Sequence, residues 1–222
     1  MRNCFLSPIP EIEEALTCLQ QAADAFLNND VSSTRQFLAA ADIPKIAVFY
    51  KSIAGKTDPK IHWQTSQPRN LLAPSERVEI RMPPESVEIS IFLRDGWRCR
   101  YCGTRVISRK ARSIFIKQFP DETHWVNAEY KRHTSLHSQA ASLDHILPHS
   151  RGGDNSQENL VTACGPCQFG RNRWTLEEVG FTDPRNRQPV VDGWDGLMRL
   201  HNVSEAQPNY VLKADGPGGP QP

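Results

Sequence analysis

Two C-x-x-C pairs place the strongest constraint on how this chain folds. They are Cys99–Cys102, in "RCRYCG", and Cys164–Cys167, in "ACGPCQ", and each has a glycine available for a tight turn. Such a turn brings two thiolates within reach of one ion, and two turns complete a tetrahedral zinc site with no open position. The sequence therefore predicts a structural Zn²⁺ that clips distant parts of the chain together. A redox dithiol or two unrelated pairs are the alternatives.

Composition indicates an ordinary globular protein and excludes a membrane protein. The 222 residues are 38% hydrophobic and 23% charged, and no apolar run approaches the roughly 20 residues that a membrane helix needs. The first residues, "MRNCFLSPIPEIEE", lack the apolar segment of a secretory signal. We therefore expect a cytoplasmic location, where paired cysteines bind metal more often than they form disulfides.

Charge is distributed unevenly along the chain although its formal net value is only +1. Residues 1–30 carry one basic and five acidic residues, whereas residues 94–118 carry eight basic residues and one acidic residue. A phosphate-facing part joined to an acidic part has this pattern, and so does a solvated charged face. Arg109, Lys110 and Arg112 are the residues of this basic stretch that we predict to contact the phosphates of a nucleic acid.

Apolar spacing predicts a helical accessory region over residues 1–55. A helix starts near Pro10, a second is capped by Ser32 or Ser33, and a third ends at Gly55. The predicted regions that follow are a linker with a short strand "RVEIRM" (56–85), a domain with an insertion at 104–141 (86–182), and a loop-rich extension with a disordered tail (183–222).

The stretch "SLDHILPHSRGGDNSQENL", residues 142–160, combines an acid and an imidazole with a tight polar loop. The carboxylate of Asp144 suits a hard divalent ion, and the imidazole of His145 can take a proton from water. Adjacent side chains on a strand point to opposite faces, so the pair needs a bend, which Pro148 and the following glycines can supply. Together the two residues indicate metal-assisted hydrolysis of a phosphodiester.

The order D-H, G-G, N-L and C-x-x-C, preceded by "RDGWRCRYCG", resembles the HNH endonucleases, the ββα-metal nuclease family, over roughly residues 92–174. The resemblance implies an α+β fold: a ββα-metal nuclease core stapled by a four-cysteine zinc, here joined to an N-terminal helical region. It also implies a catalytic Mg²⁺ or Mn²⁺ and DNA as the partner.

Specific residue roles follow from the same resemblance. His145 matches the general base, Asp144 the carboxylate that holds the catalytic ion, and Asn159 the asparagine that fixes the hairpin. The family has histidine or asparagine after the second cysteine pair, and this chain has Gln168. Asn172, four residues further on, would lie one helical turn away on the same face, so Gln168, Asn172 or both complete the predicted metal shell.

The resulting interpretation is a metal-dependent DNA endonuclease with no membrane association. Arg151, Arg171 and Arg173 flank the predicted cleft and are expected to contact the DNA backbone. One alternative is a zinc-stapled nucleic-acid-binding module with weakened catalysis, which the glutamine at position 168 favours. The other is an effector subunit of a defence complex, whose helical region docks onto a protein partner.

Overall fold

The N-terminal residues form the three predicted helices. The computed structural model describes residues 1–54, 70–128 and 131–203, beginning with α1 (Pro10–Leu27), α2 (Val31–Ala40) and α3 (Pro44–Ala54). Pro10 occupies the first position of α1, where its missing N–H leaves no hydrogen bond unmade. Asp30, and not Ser32 or Ser33, caps α2, because its carboxylate accepts from the Ser33 backbone N–H at 3.0 Å. The predicted end of α3 at Gly55 lies outside the described residues.

A small antiparallel hairpin followed by a helix forms the centre of the rest of the chain. Strand β1 (Ser142–His145) pairs with β2 (Leu160–Ala163), and His145 lies opposite Leu160. Helix α8 (Gly165–Arg171) follows β2 directly and packs against β1. This arrangement confirms the predicted α+β class. The elements after α3 are α4 (Glu85–Arg94), α5 (Arg109–Gln118), α6 (Pro120–Thr123), α7 (Thr134–Ser138), β1 (Ser142–His145), β2 (Leu160–Ala163), α8 (Gly165–Arg171) and α9 (Leu176–Val179).

The strand predicted over residues 77–82 is wrong. These described residues form no strand, and the side chains of Val78 and Ile80 are 40% and 66% exposed. Their backbone carbonyls accept hydrogen bonds from the side chains of His149 and Asn155 in the loop between β1 and β2. The alternation in the sequence therefore does not mark a face buried against a sheet.

The N-terminal helices share a hydrophobic core with the predicted insertion and extension. Leu16 of α1 and Leu38 of α2 belong to one buried cluster with Phe115 of α5, Leu136 of α7 and Leu200 of the extension. Helix α3 also packs against α8 of the hairpin unit. The helices of residues 10–54 thus bury their apolar side chains together with those of the rest of the chain.

The extension after residue 183 is irregular, as predicted, but its described part is packed against the first cysteine pair and α5. The Trp194 indole N–H donates to the Val106 carbonyl at 2.8 Å. Gly196 lies against the Trp97 ring so closely that an added Cβ would be 2.2 Å from it. Residues 204–222, where the tail was predicted, lie outside the described residues. None of the described helices is long and apolar enough to span a bilayer.

If the core is shared, a substitution in α1 should weaken the whole fold. Leu16 is fully buried, so Leu16→Ala should lower the free energy of unfolding by about 2–5 kcal/mol through lost burial and the cavity left behind. Leu27→Ala makes the same change on the same helix at a side chain that is 40% exposed, and should cost less than about 1 kcal/mol. Urea denaturation followed by circular dichroism and tryptophan fluorescence measures both.

The two probes distinguish a shared core from independent regions. Coincident transitions that shift together in Leu16→Ala are expected of one cooperative unit. An early transition in circular dichroism, with the later one unchanged, would mean that the N-terminal helices fold by themselves.

Candidate functional site

The four predicted zinc ligands lie together. The Sγ atoms of Cys99, Cys102, Cys164 and Cys167 are all within 4.8 Å of one another, and the Cys102 and Cys164 sulfurs are 3.6 Å apart. A zinc ion with bonds of about 2.3 Å to sulfur separates the corners of its tetrahedron by about 3.8 Å. The cluster therefore fits one zinc ion and supplies a closed, structural site.

Local backbone chemistry builds each half of this cluster. In the first half, Gly103 has φ +82°, and its N–H donates to the Cys99 carbonyl at 2.8 Å. The second half is the first turn of α8, which starts after Cys164 and carries the Gln168 N–H bonded to the Cys164 carbonyl at 3.0 Å. The Thr104 hydroxyl lies 3.2 Å from the Cys102 sulfur. The cluster thus joins the segment after α4 to the helix that packs behind β1.

A fifth cysteine lies beside the cluster and remains a thiol. Burial, together with the charges of Cys102 and Cys99, raises the pKa of Cys4 to about 11. Hydrogen bonds from the other three cysteines hold the pKa of Cys102 well below its ordinary value. The Cys4 thiol donates a hydrogen bond to the Leu6 carbonyl at 3.2 Å. These shifts favour a thiolate within the cluster and a neutral thiol next to it.

The Asn159 side chain forms hydrogen bonds with the backbone of the hairpin loop, as the resemblance implied. Its side-chain Oδ1 accepts from the Leu147 N–H at 2.8 Å, and its Nδ2 donates to the carbonyls of Leu147 at 3.2 Å and Asp154 at 2.9 Å. Gly153 lies against the Leu147 backbone, where an added Cβ would be 1.8 Å from the Leu147 oxygen. Gly152 has φ +93°, so the two glycines serve a close approach and a left-handed turn.

His145 occupies the last position of β1 and is 7% exposed. Its Nε2 lies 2.9 Å from the Asn155 Oδ1, and the Asn155 Nδ2 donates to the Ile80 carbonyl at 2.7 Å. Burial lowers the pKa of His145, and this outweighs the hydrogen bond to Asn155 and the charge of Asp144, which raise it. The imidazole is therefore neutral at pH 7, the state that a general base requires.

Sequence reasoning missed the contacts around His145. The His149 ring centre is 5.9 Å from that of His145, and its Nε2 lies 2.7 Å from the Val78 carbonyl oxygen. Arg81 is exposed, and its charge contributes to lowering the pKa of His145, after the larger effect of burial. Asn155 lies ten positions after His145 in the same loop, but nothing in the sequence distinguishes it from other loop asparagines.

Asp144 points away from His145 into a buried ion pair with Arg171. The Arg171 Nε is 2.7 Å from the Asp144 Oδ2, and both residues are buried. The guanidinium also donates to the carbonyls of His145, Ile146 and Trp174. Burial is the largest single effect and lowers the pKa of Arg171, but the charges and hydrogen bonds of Asp144 and Tyr101 together raise that pKa above its ordinary value, so the guanidinium stays charged. Arg171, predicted to contact DNA, is instead part of the core.

The predicted metal shell does not fit a catalytic divalent ion as these residues are arranged. The carboxylate of Asp144 is neutralised by Arg171, and a second cation beside that guanidinium is disfavoured. Gln168 is half-buried and donates its amide N–H to the Leu143 carbonyl at 3.1 Å. Helix α8 ends at Arg171, so Asn172 follows it as an exposed residue with φ +50° and does not lie one turn along the same face.

Of the other two arginines predicted beside the cleft, Arg173 is exposed, whereas Arg151 forms an ion pair with Glu178. The Arg151 Nη2 donates to both carboxylate oxygens of Glu178, at 2.8 and 2.6 Å, and its Nε donates to the Arg173 carbonyl at 3.2 Å. These bonds connect the hairpin loop to α9. Arg151 therefore has a structural partner within the chain.

The basic stretch of residues 94–118 also forms many internal contacts. Arg109 forms an ion pair with Glu88, and the Arg112 guanidinium carbon lies 5.0 Å from the centre of the Trp125 ring. Burial lowers the pKa of Arg112. Lys110 is exposed. Further ion pairs of the stretch are Arg94–Asp95, Arg100–Asp95, Arg98–Asp192 and Arg105–Glu13.

Zinc content tests the four-cysteine cluster. Protein purified without added metal should contain about one zinc ion per chain, and its removal by a chelator should lower the melting temperature, because binding contributes to folding. Cys167→Ser should lose the ion, whereas Cys18→Ser, outside the cluster, should keep it. Elemental analysis and thermal denaturation measure both effects. Zinc-free wild-type protein with oxidised cysteine pairs would contradict the assignment.

The buried ion pair has its own stability signature. Arg171→Met leaves the Asp144 carboxylate buried without its charge partner and should cost about 3–5 kcal/mol. Combining it with Asp144→Asn should cost less than the sum of the two single changes. Arg185→Met removes an arginine from an exposed pair with Asp183 and should cost less than about 1 kcal/mol. Urea denaturation without divalent ions gives all four values. An unchanged free energy of unfolding in Asp144→Asn would show that this carboxylate is free for another ligand.

Residues 133–176 match the family model of the HNH endonucleases. No curated protein and no solved structure matches the chain. The matched segment includes β1, the hairpin loop, β2, α8 and the second cysteine pair, while the first cysteine pair lies before it. The match confirms, for residues 133–176, the resemblance found in the sequence: this segment is similar to the HNH endonucleases.

Proposed function

We propose that this protein is a DNA endonuclease that hydrolyses phosphodiester bonds with His145 as general base. The observation that carries the proposal is the neutral imidazole at the end of β1, held by the hairpin loop of the segment that matches the HNH endonucleases. A neutral imidazole in a fixed position can accept the proton of an attacking water. The four-cysteine cluster supports this position from behind, through α8.

In the proposed reaction, His145 takes a proton from water as the water oxygen attacks the phosphorus in line with the leaving 3′ oxygen. The phosphorus–oxygen bond to that oxygen then breaks, and the leaving oxygen takes a proton from solvent. This gives a 5′-phosphate and a 3′-hydroxyl, the products that the resemblance implies. Charge on the phosphate requires cationic neighbours. Arg81 beside His145 and Arg173 after α8 are exposed arginines suited to backbone contacts.

The resemblance implies Mg²⁺ or Mn²⁺ as the catalytic ion, but Asp144, Gln168 and Asn172 do not fit that ion as they are arranged. The Asp144–Arg171 ion pair also favours a second candidate function: a zinc-stapled nucleic-acid-binding module with weakened catalysis. Docking through the N-terminal helices has less support, since those helices bury their apolar residues within the chain.

Cleavage of supercoiled plasmid tests both candidates. With Mg²⁺ or Mn²⁺ present, wild-type protein should nick or linearise the plasmid, and His145→Ala should reduce the rate by about 10²–10⁴-fold, because the base has been removed. The dissociation constant for DNA should change little. His124→Ala is the matched control, because this histidine pairs with Asp42 outside the site and should cleave at the wild-type rate.

The assay separates three results. Equal cleavage by the wild type and His145→Ala would contradict the assigned base and indicate a contaminating nuclease. DNA binding without cleavage by any variant, with any divalent ion, would favour the binding module. Cleavage that is lost only in His145→Ala would support the endonuclease.

A further inference from the structure

Hydrogen bonding around Asn155 determines which way its side-chain amide faces. The Ile80 carbonyl oxygen lies 2.7 Å from one end of that amide, and the His145 Nε2 lies 2.9 Å from the other end. A backbone carbonyl can only accept, so the amide nitrogen must face Ile80. The amide oxygen then faces His145. Because this oxygen also can only accept, the His145 Nε2 must carry the proton that joins them.

These two hydrogen bonds determine the tautomer of the neutral His145 imidazole. A neutral histidine carries its proton on either Nδ1 or Nε2, and the partner of one nitrogen decides the role of the other. With the proton on Nε2, the Nδ1 of His145 has a free lone pair. The other tautomer would present an N–H group at Nδ1 and could not take a proton there.

We propose that Asn155, oriented by the Ile80 carbonyl, is a positioning residue that holds His145 in the Nε2–H tautomer and leaves Nδ1 as the proton acceptor. The catalytic meaning of this assignment rests on the proposed endonuclease function. The tautomer itself does not, because it follows from hydrogen bonds within the chain. Asn155 acts through His145 and has no assigned contact with the substrate.

The backbone that orients Asn155 comes from outside the HNH segment. Residues 78–80 lie along the hairpin loop, where the Val78 carbonyl accepts from His149 in the same way as the Ile80 carbonyl accepts from Asn155. Further along, the Leu72 N–H donates to the Ser150 carbonyl at 2.9 Å. This stretch, residues 72–80, therefore braces the loop that contains His149 and Asn155 and that follows His145. Residues 74–76 form a short 3-10 helix, and none of residues 72–80 belongs to a sheet.

Nitrogen-15 NMR of labelled histidine tests the tautomer without DNA or a catalytic ion. In zinc-loaded wild-type protein, above the pH range in which histidine protonates, two-bond proton–nitrogen spectra should show Nε2 protonated and Nδ1 unprotonated for His145. His145→Gln identifies its signals. Asn155→Ala should shift them toward a mixture of tautomers. Asn155→Asp keeps an acceptor oxygen and should retain the Nε2–H form. Asn127→Ala, an exposed asparagine outside the site, should leave the spectrum unchanged.

Kinetics then separate positioning from simple loop stabilisation. Asn155→Ala should lower kcat about tenfold or more with an unchanged dissociation constant for DNA, and Asn155→Asp should recover part of the loss. If Asn155→Ala does not fold, Asn155→Ser serves instead, because its shorter hydroxyl also cannot bridge Ile80 and His145. An unchanged His145 spectrum in the folded alanine or serine variant would overturn the proposal.

The two readouts also distinguish this inference from the proposed function. A change of tautomer in Asn155→Ala, in a protein that never cleaves DNA, would support the assignment of Asn155 and overturn the endonuclease. Normal cleavage that depends on His145, with a tautomer unaffected by Asn155, would support the endonuclease and overturn the assignment.

Discussion

The buried guanidinium of Arg171 is the interaction on which the candidate site depends. It sits at the end of α8 and binds the Asp144 carboxylate together with the carbonyls of His145 and Ile146 where β1 passes into the hairpin loop. A charged group in the core is tolerated only when its donors are satisfied, and here four oxygens satisfy them. The helix that carries the second cysteine pair is thereby fixed against the strand that carries the histidine.

This arrangement separates two residues that adjacent sequence positions suggested would work together. Alternation along β1 sends Asp144 toward Arg171 and His145 toward Asn155, and no bend brings them back to one cleft. The acid thus contributes to the framework, and the imidazole carries the proposed chemistry. Charge is used in a similar way elsewhere: the ion pair Glu13–Arg105 joins the acidic start of the chain to its basic middle. The uneven charge of the sequence partly reflects these internal contacts.

What could be predicted from sequence was the local part of the site. The cysteine turns and the glycine pair follow from short-range spacing, where backbone geometry leaves few choices, and the place of Asn159 follows from the resemblance to the HNH endonucleases. The functions of Arg151 and Arg171 depended on their partners in the fold, which spacing does not reveal. The brace at Val78 and Ile80 was read as a strand, because alternation cannot tell a sheet partner from the side chains of a loop 70 residues later.

The site is therefore larger than the segment that identifies it. Residues 133–176 hold His145, Asn155 and the second cysteine pair, but the first cysteine pair and the brace come from residues 72–102. The N-terminal helices in turn pack on α8 and share a core with the insertion. The N-terminal helices position α8, and α8 positions β1. Substitutions in α1 are therefore connected to the position of the His145 imidazole by packing. The proposed chemistry belongs to a short HNH-like hairpin, while the geometry of that hairpin is set by most of the described chain.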